Sequence, residues 1–165
     1  MADISKTMQD AFNEQIKNEM YSAYIYLSMA AYFESKNLPG SAKWMRAQYA
    51  EENSHAMKMF DFVADRGGRV TLQALPQPPA DFASPVDVWK TVWEHEQKVT
   101  AMIYKLAEQA AKEGDQASHA FLQWFVTEQV EEEKNAQLMY ERFTQAGEHP
   151  SSLLLFDGHF TKRGD

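Results

Sequence analysis

The sequence predicts an all-α protein: a four-helix bundle with a long crossover between its second and third helices and a short fifth helix near the C-terminus. Three observations lead there: where glycine and proline fall, the three-and-four spacing of apolar residues between them, and the capping residues at the ends of the intervals. Only 7 Gly and 6 Pro occur in 165 residues, and they leave four windows free of both: 1–38, 41–66, 86–113 and 115–146. Both residues are poorly tolerated inside helices. Windows of this length, without strict alternation or β-branched enrichment, therefore read as helices rather than strands.

The first two windows are expected to join by a short turn at Pro39-Gly40. The stretch from Gly67 to Ser84 carries Pro76, Pro78 and Pro79 and is too proline-rich for helix. Fully extended at roughly 3.3 Å per residue, it spans about 60 Å, more than the roughly 40 Å length of a 26-residue helix. It can therefore run the whole bundle as a crossover. Ser84-Pro85-Val86-Asp87 reads as an N-cap, a proline at the first helical position and an acid in the first turn. Gly114 and Gly147 stand where a helix C-terminus favours positive φ, and Gly114-Asp115 supplies the turn between the third and fourth helices. The apolar stretch Ser151 to Phe156 can begin the fifth helix. No linker or low-complexity segment divides the chain, so residues 1–165 are read as one domain.

Composition removes several functions. There are 24 acidic and 16 basic residues, a formal charge of −8, and no cysteine. Without cysteine there is no disulfide scaffold, thiolate metal cluster or thiol nucleophile. The acidic balance argues against a nucleic-acid partner and is compatible with attracting cations. Met1-Ala2-Asp3-Ile4-Ser5 has no apolar core of a secretory signal, and no window of about 18 apolar residues exists. A cytoplasmic location without membrane association is the expectation.

The core-facing step, three or four residues at a time, runs Phe12, Ile16, Glu19, Ala23, Tyr26, Ala30, Phe33 in the first helix and Met45, Gln48, Glu52, His55, Met59, Phe62 in the second. It runs Trp89, Val92, Glu96, Val99, Ile103, Leu106 in the third and Leu122, Phe125, Gln129, Glu132, Ala136, Met139, Phe143 in the fourth. Each seam is apolar at both ends and acidic near its middle. Counted at roughly 1.5 Å per residue from each hairpin turn, Glu19, Glu52, Glu96 and Glu132 lie some 20 to 30 Å away, so the four meet at mid-bundle. The count holds for either chain order. Within Glu131-Glu132-Glu133 the step selects Glu132 alone, the run otherwise being a solvated face. Tyr26 and Trp124 are read as core aromatics.

Four buried carboxylates without partners would repel one another and lose several kcal/mol of hydration each. Either they hold protons, with raised pKa, or cations neutralise them. Ionised, they carry −4, and two divalent metals carry +4. A dinuclear site balances the charge and gives a role to His55, three residues from Glu52 on the same helical face. Oxygen donors with one imidazole suit ferrous iron or manganese, whereas zinc sites are normally richer in histidine or cysteine.

With these residues in place, the sequence resembles non-haem bacterial ferritin, within the ferritin-like di-iron carboxylate family, over nearly its whole length. The matching segments are Asn13 to Ser22 (NEQIKNEMYS), Ala50 to His55 (AEENSH), His95-Glu96-Gln97, and Phe121 to Lys134 (FLQWFVTEQVEEEK). The wider family places a Glu on each of two helices and Glu-x-x-His on the other two. The resemblance implies that Glu19, Glu52 and His55 hold one iron, that Glu52 bridges to a second held by Glu96 and Glu132, and that Gln129 is a nearby hydrogen-bonding or weak ligand. It implies a third, weaker iron site at Glu51, Glu128 and Glu131, together with Glu132. Tyr26 matches the tyrosine beside the dimetal centre and Trp124 a neighbouring tryptophan, either able to supply an electron when dioxygen reduction leaves a deficit. Gln129-x-x-Glu132 stands where a bacterioferritin has Glu-x-x-His, which favours a site that releases its iron. Asn53 stands where a bacterioferritin has its haem-ligating methionine, so no haem is expected.

The function implied is that of a ferroxidase, a ferrous iron:oxygen oxidoreductase using dioxygen or hydrogen peroxide, that stores ferric mineral inside a homo-oligomeric shell of 24 subunits. Two other readings stand beside it: a dimetal oxidase or peroxide-detoxifying protein that stores nothing, and a metal-free structural or cytokine-like bundle. His119, near the start of the fourth helix, is read as a surface or interface residue rather than a channel lining.

Overall fold

The computed structural model describes residues 3–160, and its elements are all helices: α1 (Lys6–Ser35), α2 (Pro39–Asp65), α3 (Pro85–Glu113), α4 (Gln116–Ala146) and α5 (Pro150–His159). The starts follow from capping chemistry. Ser5 accepts a hydrogen bond from the Met8 amide, Ser84 from the Asp87 amide, and Asp115 from the Ser118 amide. These side chains satisfy amides that the first helical turn leaves unpaired. Gly114 ends α3 in the left-handed region, at φ 68° and ψ 20°. Gly147 ends α4 at positive φ but with an extended ψ of −167°, a different exit from the helix.

The expected turn at Pro39-Gly40 is corrected. Both residues lie inside α2, with Pro39 at its first position, where its fixed φ and missing N–H cost nothing. The chain reverses instead through Lys36 to Leu38, using Asn37 at φ 59°. Gly40 has another reason to be glycine: a β-carbon there would come within 1.9 Å of the Asp157 carbonyl oxygen. Leu38 offers no side-chain cap to α2. Asp157 of α5 supplies it, accepting from the Gly40 amide at 2.9 Å and the Ser41 amide at 2.7 Å. The fifth helix is thereby tied to the start of the second.

The crossover does run the length of the bundle. Near the foot of α1, Gln9 accepts from the Arg69 amide (2.8 Å), while the Asn13 side chain donates to the Arg69 carbonyl (3.1 Å) and accepts from the Thr71 amide (3.2 Å). Near its head, Ser28 donates to the Pro79 carbonyl (2.5 Å) and Tyr32 packs edge-on against Phe82. This path carries the chain back to the level at which α2 began, so α2 and α3 are parallel to each other and antiparallel to α1 and α4. Trp89 at the start of α3 accordingly meets Phe33 at the end of α1, Trp44 at the start of α2 and Phe143 at the end of α4.

Two apolar clusters fill the interior. One contains Phe33, Met45, Trp89 and Phe143; the other contains Phe12, Met59, Ile103 and Leu122. Between them lies a polar layer at the middle of the seams. One seam position differs from expectation: Phe62 is half-buried and stacks on Phe121 with centroids 4.1 Å apart, while Val63 takes the buried place. At the lower end, buried Arg66 bonds to Asp115 at 3.0 Å, joining the end of α2 to the cap of α4.

Replacing Asp157 leaves two buried helix-start amides without their acceptor, worth about 1–2 kcal/mol. Asp157→Ala is therefore expected to lower unfolding stability by that amount and to expose the α4–α5 junction to protease, with Asp157→Asn falling between it and wild type. Equilibrium denaturation and limited proteolysis check this; an unchanged midpoint and cleavage pattern for Asp157→Ala would contradict the cap.

Candidate metal centre

The polar layer draws one carboxylate from each long helix: Glu19 from α1, Glu52 from α2, Glu96 from α3 and Glu132 from α4. None is more than 6% exposed. Each arrives because the apolar residues one or two turns away are locked into the clusters above and below, which fixes the rotation of its helix. His55 follows Glu52 by three residues on α2, and its Nδ1 lies 3.2 Å from Glu52 Oε2 and 3.9 Å from Glu19 Oε2.

Three sets of ligand-type atoms gather within 4.8 Å of one another: Glu19 with Glu52 and His55, Glu52 with Glu96 and Glu132, and His55 with Glu128 and Glu132. The first two share Glu52, whose two oxygens can serve two cations at once. They comprise the acids and histidine that the seam pattern singled out. The third set brings in Glu128, which is half-buried. Glu131 is exposed and Glu51 half-buried, and neither belongs to any of the three sets. Glu51 is close enough that its charge pushes up the Glu132 carboxyl.

Amides and a phenol satisfy the remaining oxygens. Gln15 donates to Glu19 at 2.8 Å, and the Gln48 amide donates to both Glu52 (3.2 Å) and Glu132 (2.8 Å). Gln129 Nε2 faces Glu96 Oε2 at 3.2 Å and Thr100 Oγ1 at 3.1 Å. The Tyr26 hydroxyl donates a short bond to Glu96 Oε1. Gln48 was visible on the seam, but its bridging role was not, because periodicity gives a face and no partner.

Electrostatics follow from crowding in a medium of low polarity. Burial, then the charge of Glu52, pushes the Glu19 carboxyl well above the ordinary carboxylate range; burial, then Glu96, does the same to Glu52. Burial raises Glu96 to about 7 against the bonds from Tyr26 and Gln129, and burial with the charges of Glu96 and Glu51 raises Glu132 to about 8. Burial, followed by the Glu96 and Glu52 charges, also raises the Tyr26 phenol. Without cations the layer holds protons at neutral pH. The oxygen-rich donors with a single imidazole fit hard divalent cations such as ferrous iron.

Two aromatic expectations part company. Tyr26 is fully buried, as the seam predicts. Trp124 is not a core residue: it is 41% exposed, one position off the seam that Phe125 occupies, and it packs edge-on against His55. His95, absent from the seam because it precedes Glu96, also borders the layer. Its Nε2 lies 2.8 Å from Ser22 Oγ, and burial with the nearby Lys98 charge lowers its pKa to about 4. His119 is half-buried near the start of α4 and belongs to none of the three sets.

Fold and site together define a class: a four-helix bundle whose interior carries a carboxylate and histidine cluster suited to metal ions. Comparison with known proteins names it. The model of the Ferritin-like domain matches residues 9–146, and the chain belongs to that family. It is 41% identical over 160 residues to the bacterial non-heme ferritin of Bacteroides fragilis, covering 97% of this chain and 99% of that protein. It is 34% identical to the bacterial non-heme ferritin of Staphylococcus aureus over 154 residues, 93% of each. Among solved structures, an open-pore ferritin of the hyperthermophilic archaeon Archaeoglobus fulgidus superposes with a TM-score of 0.97 at 50% identity, over 98% of this chain and 99% of that one. A form of the same ferritin engineered to be closed gives 0.96 at 50% identity. Membership supports iron binding, iron storage and ferrous oxidation as the general function. No described helix is long and apolar enough to cross a membrane.

The raised carboxyls make a prediction about the metal-free protein. In the folded state these groups keep protons that the unfolded chain, titrating near 4.5, has lost. Stability is therefore full below about 4.5 and declines as pH rises through about 7 to 8, where Glu96 and Glu132 ionise. Calorimetry of chelator-treated protein is expected to show a falling Tm from pH 5 to pH 8, and a saturating divalent cation should flatten that fall. A metal-free Tm that rises over the same range would contradict it.

Proposed function

We propose that the protein is an iron-storage ferroxidase of the bacterial cytoplasm, acting as one domain per chain, and that Glu19, Glu52, His55, Glu96 and Glu132 bind its substrate as two ferrous ions. The observation that carries this reading is the pair of ligand sets sharing Glu52, one containing the single imidazole. The oxygens of Glu52 bridge the two ions, Glu19 and His55 complete the first position, and Glu96 and Glu132 complete the second. Gln129 lies beside the second position as a neutral amide.

Binding begins with exchange of charge. Two ferrous ions displace the protons that the buried carboxyls hold, turning a largely protonated layer into one in which +4 faces −4. Dioxygen then takes two electrons, one from each ion: two ferrous ions, dioxygen and two protons give two ferric ions and hydrogen peroxide. Adjacent ions supply both electrons, so no one-electron oxygen product is released. Anionic oxygens favour the ferric over the ferrous state by simple Coulomb attraction. Hydrogen peroxide can serve as oxidant in place of dioxygen.

Glu128, with Glu51, Glu131 and Glu132, provides a third and weaker iron position, Glu128 and Glu132 being gathered with His55. Its carboxylates receive ferric ions leaving the centre, which hydrolyse and mineralise within a shell. The shell is proposed to be a 24-mer, in keeping with the similarity to an open-pore ferritin and a closed engineered form of it. At 18.9 kDa per chain such a particle weighs about 450 kDa.

Stopped-flow mixing of about two ferrous ions per chain with oxygenated buffer is expected to show a fast oxidation phase that Glu52→Ala or His55→Ala nearly abolishes. Glu131→Ala should slow later turnovers more than the first. An unchanged fast phase in both Glu52→Ala and His55→Ala would sink the site. A mass by light scattering near that of one or two chains would replace storage with a dimetal oxidase that stores nothing.

A further inference from the structure

Trp124 lies between the metal-ligand layer and solvent. Its ring lies 5.4 Å from the His55 ring, centroid to centroid, at 75°, and the residue is 41% exposed. An indole in this position offers an oxidising centre one path for drawing an electron from the protein surface. The side chain of Lys58, one turn beyond His55 on α2, is laid over the ring, with its ammonium nitrogen 3.2 Å from the ring centre. A cation over the ring face is attracted by the ring's negative quadrupole. Removing an electron reverses the relation, since the ammonium would then face a ring bearing positive charge.

We propose that Lys58 is a redox-tuning residue, which makes Trp124 hard to oxidise and so keeps oxidising equivalents from leaving the centre through it. The inference rests on the ferroxidase reading. Its chemistry concerns a centre holding one ferrous ion when peroxide arrives. Reduction of hydrogen peroxide to two waters takes two electrons and two protons; the ferrous ion gives one electron and becomes ferric, and a side chain must give the other. From Trp124 that electron would leave an indole radical cation under the Lys58 ammonium. From Tyr26 the electron can leave while the hydroxyl proton passes along its existing bond to Glu96, producing a neutral radical. Lys58 thus biases the loss toward the buried phenol and away from the exposed indole.

The test uses the full-length assembled protein as wild type, Lys58→Met, Lys58→Arg, and Lys58→Met combined with Trp124→Phe. Each is loaded anaerobically with one ferrous ion per chain, mixed with one equivalent of hydrogen peroxide and frozen for electron paramagnetic resonance; parallel samples are mapped for oxygen addition at Trp124 by peptide mass. Lys58→Met, which keeps the stem and loses the charge, should raise the tryptophan radical and Trp124 oxidation several-fold over wild type. Lys58→Arg should stay near wild type, and the double variant should lose the added signal. Emission of the metal-free proteins, taken as the difference from Trp124→Phe, should change in Lys58→Met and tests the ring contact without iron. Equal radical yield and equal Trp124 oxidation in wild type and Lys58→Met, with normal iron oxidation, overturn this inference alone. Failure of the wild type to oxidise bound ferrous iron overturns the ferroxidase reading and this inference with it.

Discussion

Four carboxylates share one buried layer, and the rest of the structure is organised around making that tolerable. Like charges a few ångströms apart in a medium of low polarity cannot all stay ionised without compensation. Protons are one solution, favoured where burial pushes the Glu96 carboxyl up to about 7 and the Glu132 carboxyl up to about 8. Divalent cations are the other. The side chains bonded to the layer suit both: Gln15, Gln48 and Gln129 offer amides, which bring dipoles without a fixed positive charge that would compete with a metal. An arginine in any of these places would neutralise the acids permanently.

Such a layer demands precise register from four helices, and the fold provides it from both sides. Apolar clusters above and below fix the rotation of each helix, so the acids need not supply their own packing. The ends fix translation. Asp157 ties α5 to the start of α2 through two backbone amides, and Arg66 ties the end of α2 to the cap of α4. The crossover, bonded to α1 near Gln9 and again at Ser28, makes α2 and α3 parallel. Because the acids sit at mid-height, either chain direction would bring them to the same level; the crossover decides which helix ends meet, and hence the composition of the two clusters.

That division explains what was legible in the sequence. Seam position depends on local periodicity, so Glu19, Glu52, His55, Glu96, Gln129 and Glu132 could be read directly, and Glu132 could be separated from its two acidic neighbours. Features created by contact between distant segments could not. Nothing local marks Asp157 as the cap of a helix more than a hundred residues earlier, or gives Gln48 its bridge from Glu52 to Glu132. Trp124 was misread because aromatic character suggested core, whereas its place beside Phe125 in the helical step puts it at the edge. The turn at Asn37 was missed for a similar reason: Pro39 fits a turn and the first position of a helix equally well, and the choice rests on Asp157 reaching Gly40 and Ser41.

The same charge accounting bears on release of the product. Under the ferroxidase reading, two ferrous ions match the four carboxylates, +4 against −4. Oxidation raises the metals to +6 without moving a ligand, leaving an excess of +2 in a buried layer. Neither the Gln129 amide nor the His55 imidazole brings a negative charge to offset that excess. Hydroxide or oxide drawn from water does, and water ligands on ferric ions lose their protons readily, so the chemistry that restores neutrality is also the first step of mineral formation. A centre with more anionic ligands would hold ferric iron more firmly. One with four carboxylates accommodates the reduced substrate and is unbalanced by its own product, while Glu128, gathered with His55 and Glu132, offers the departing cation the next negative charge.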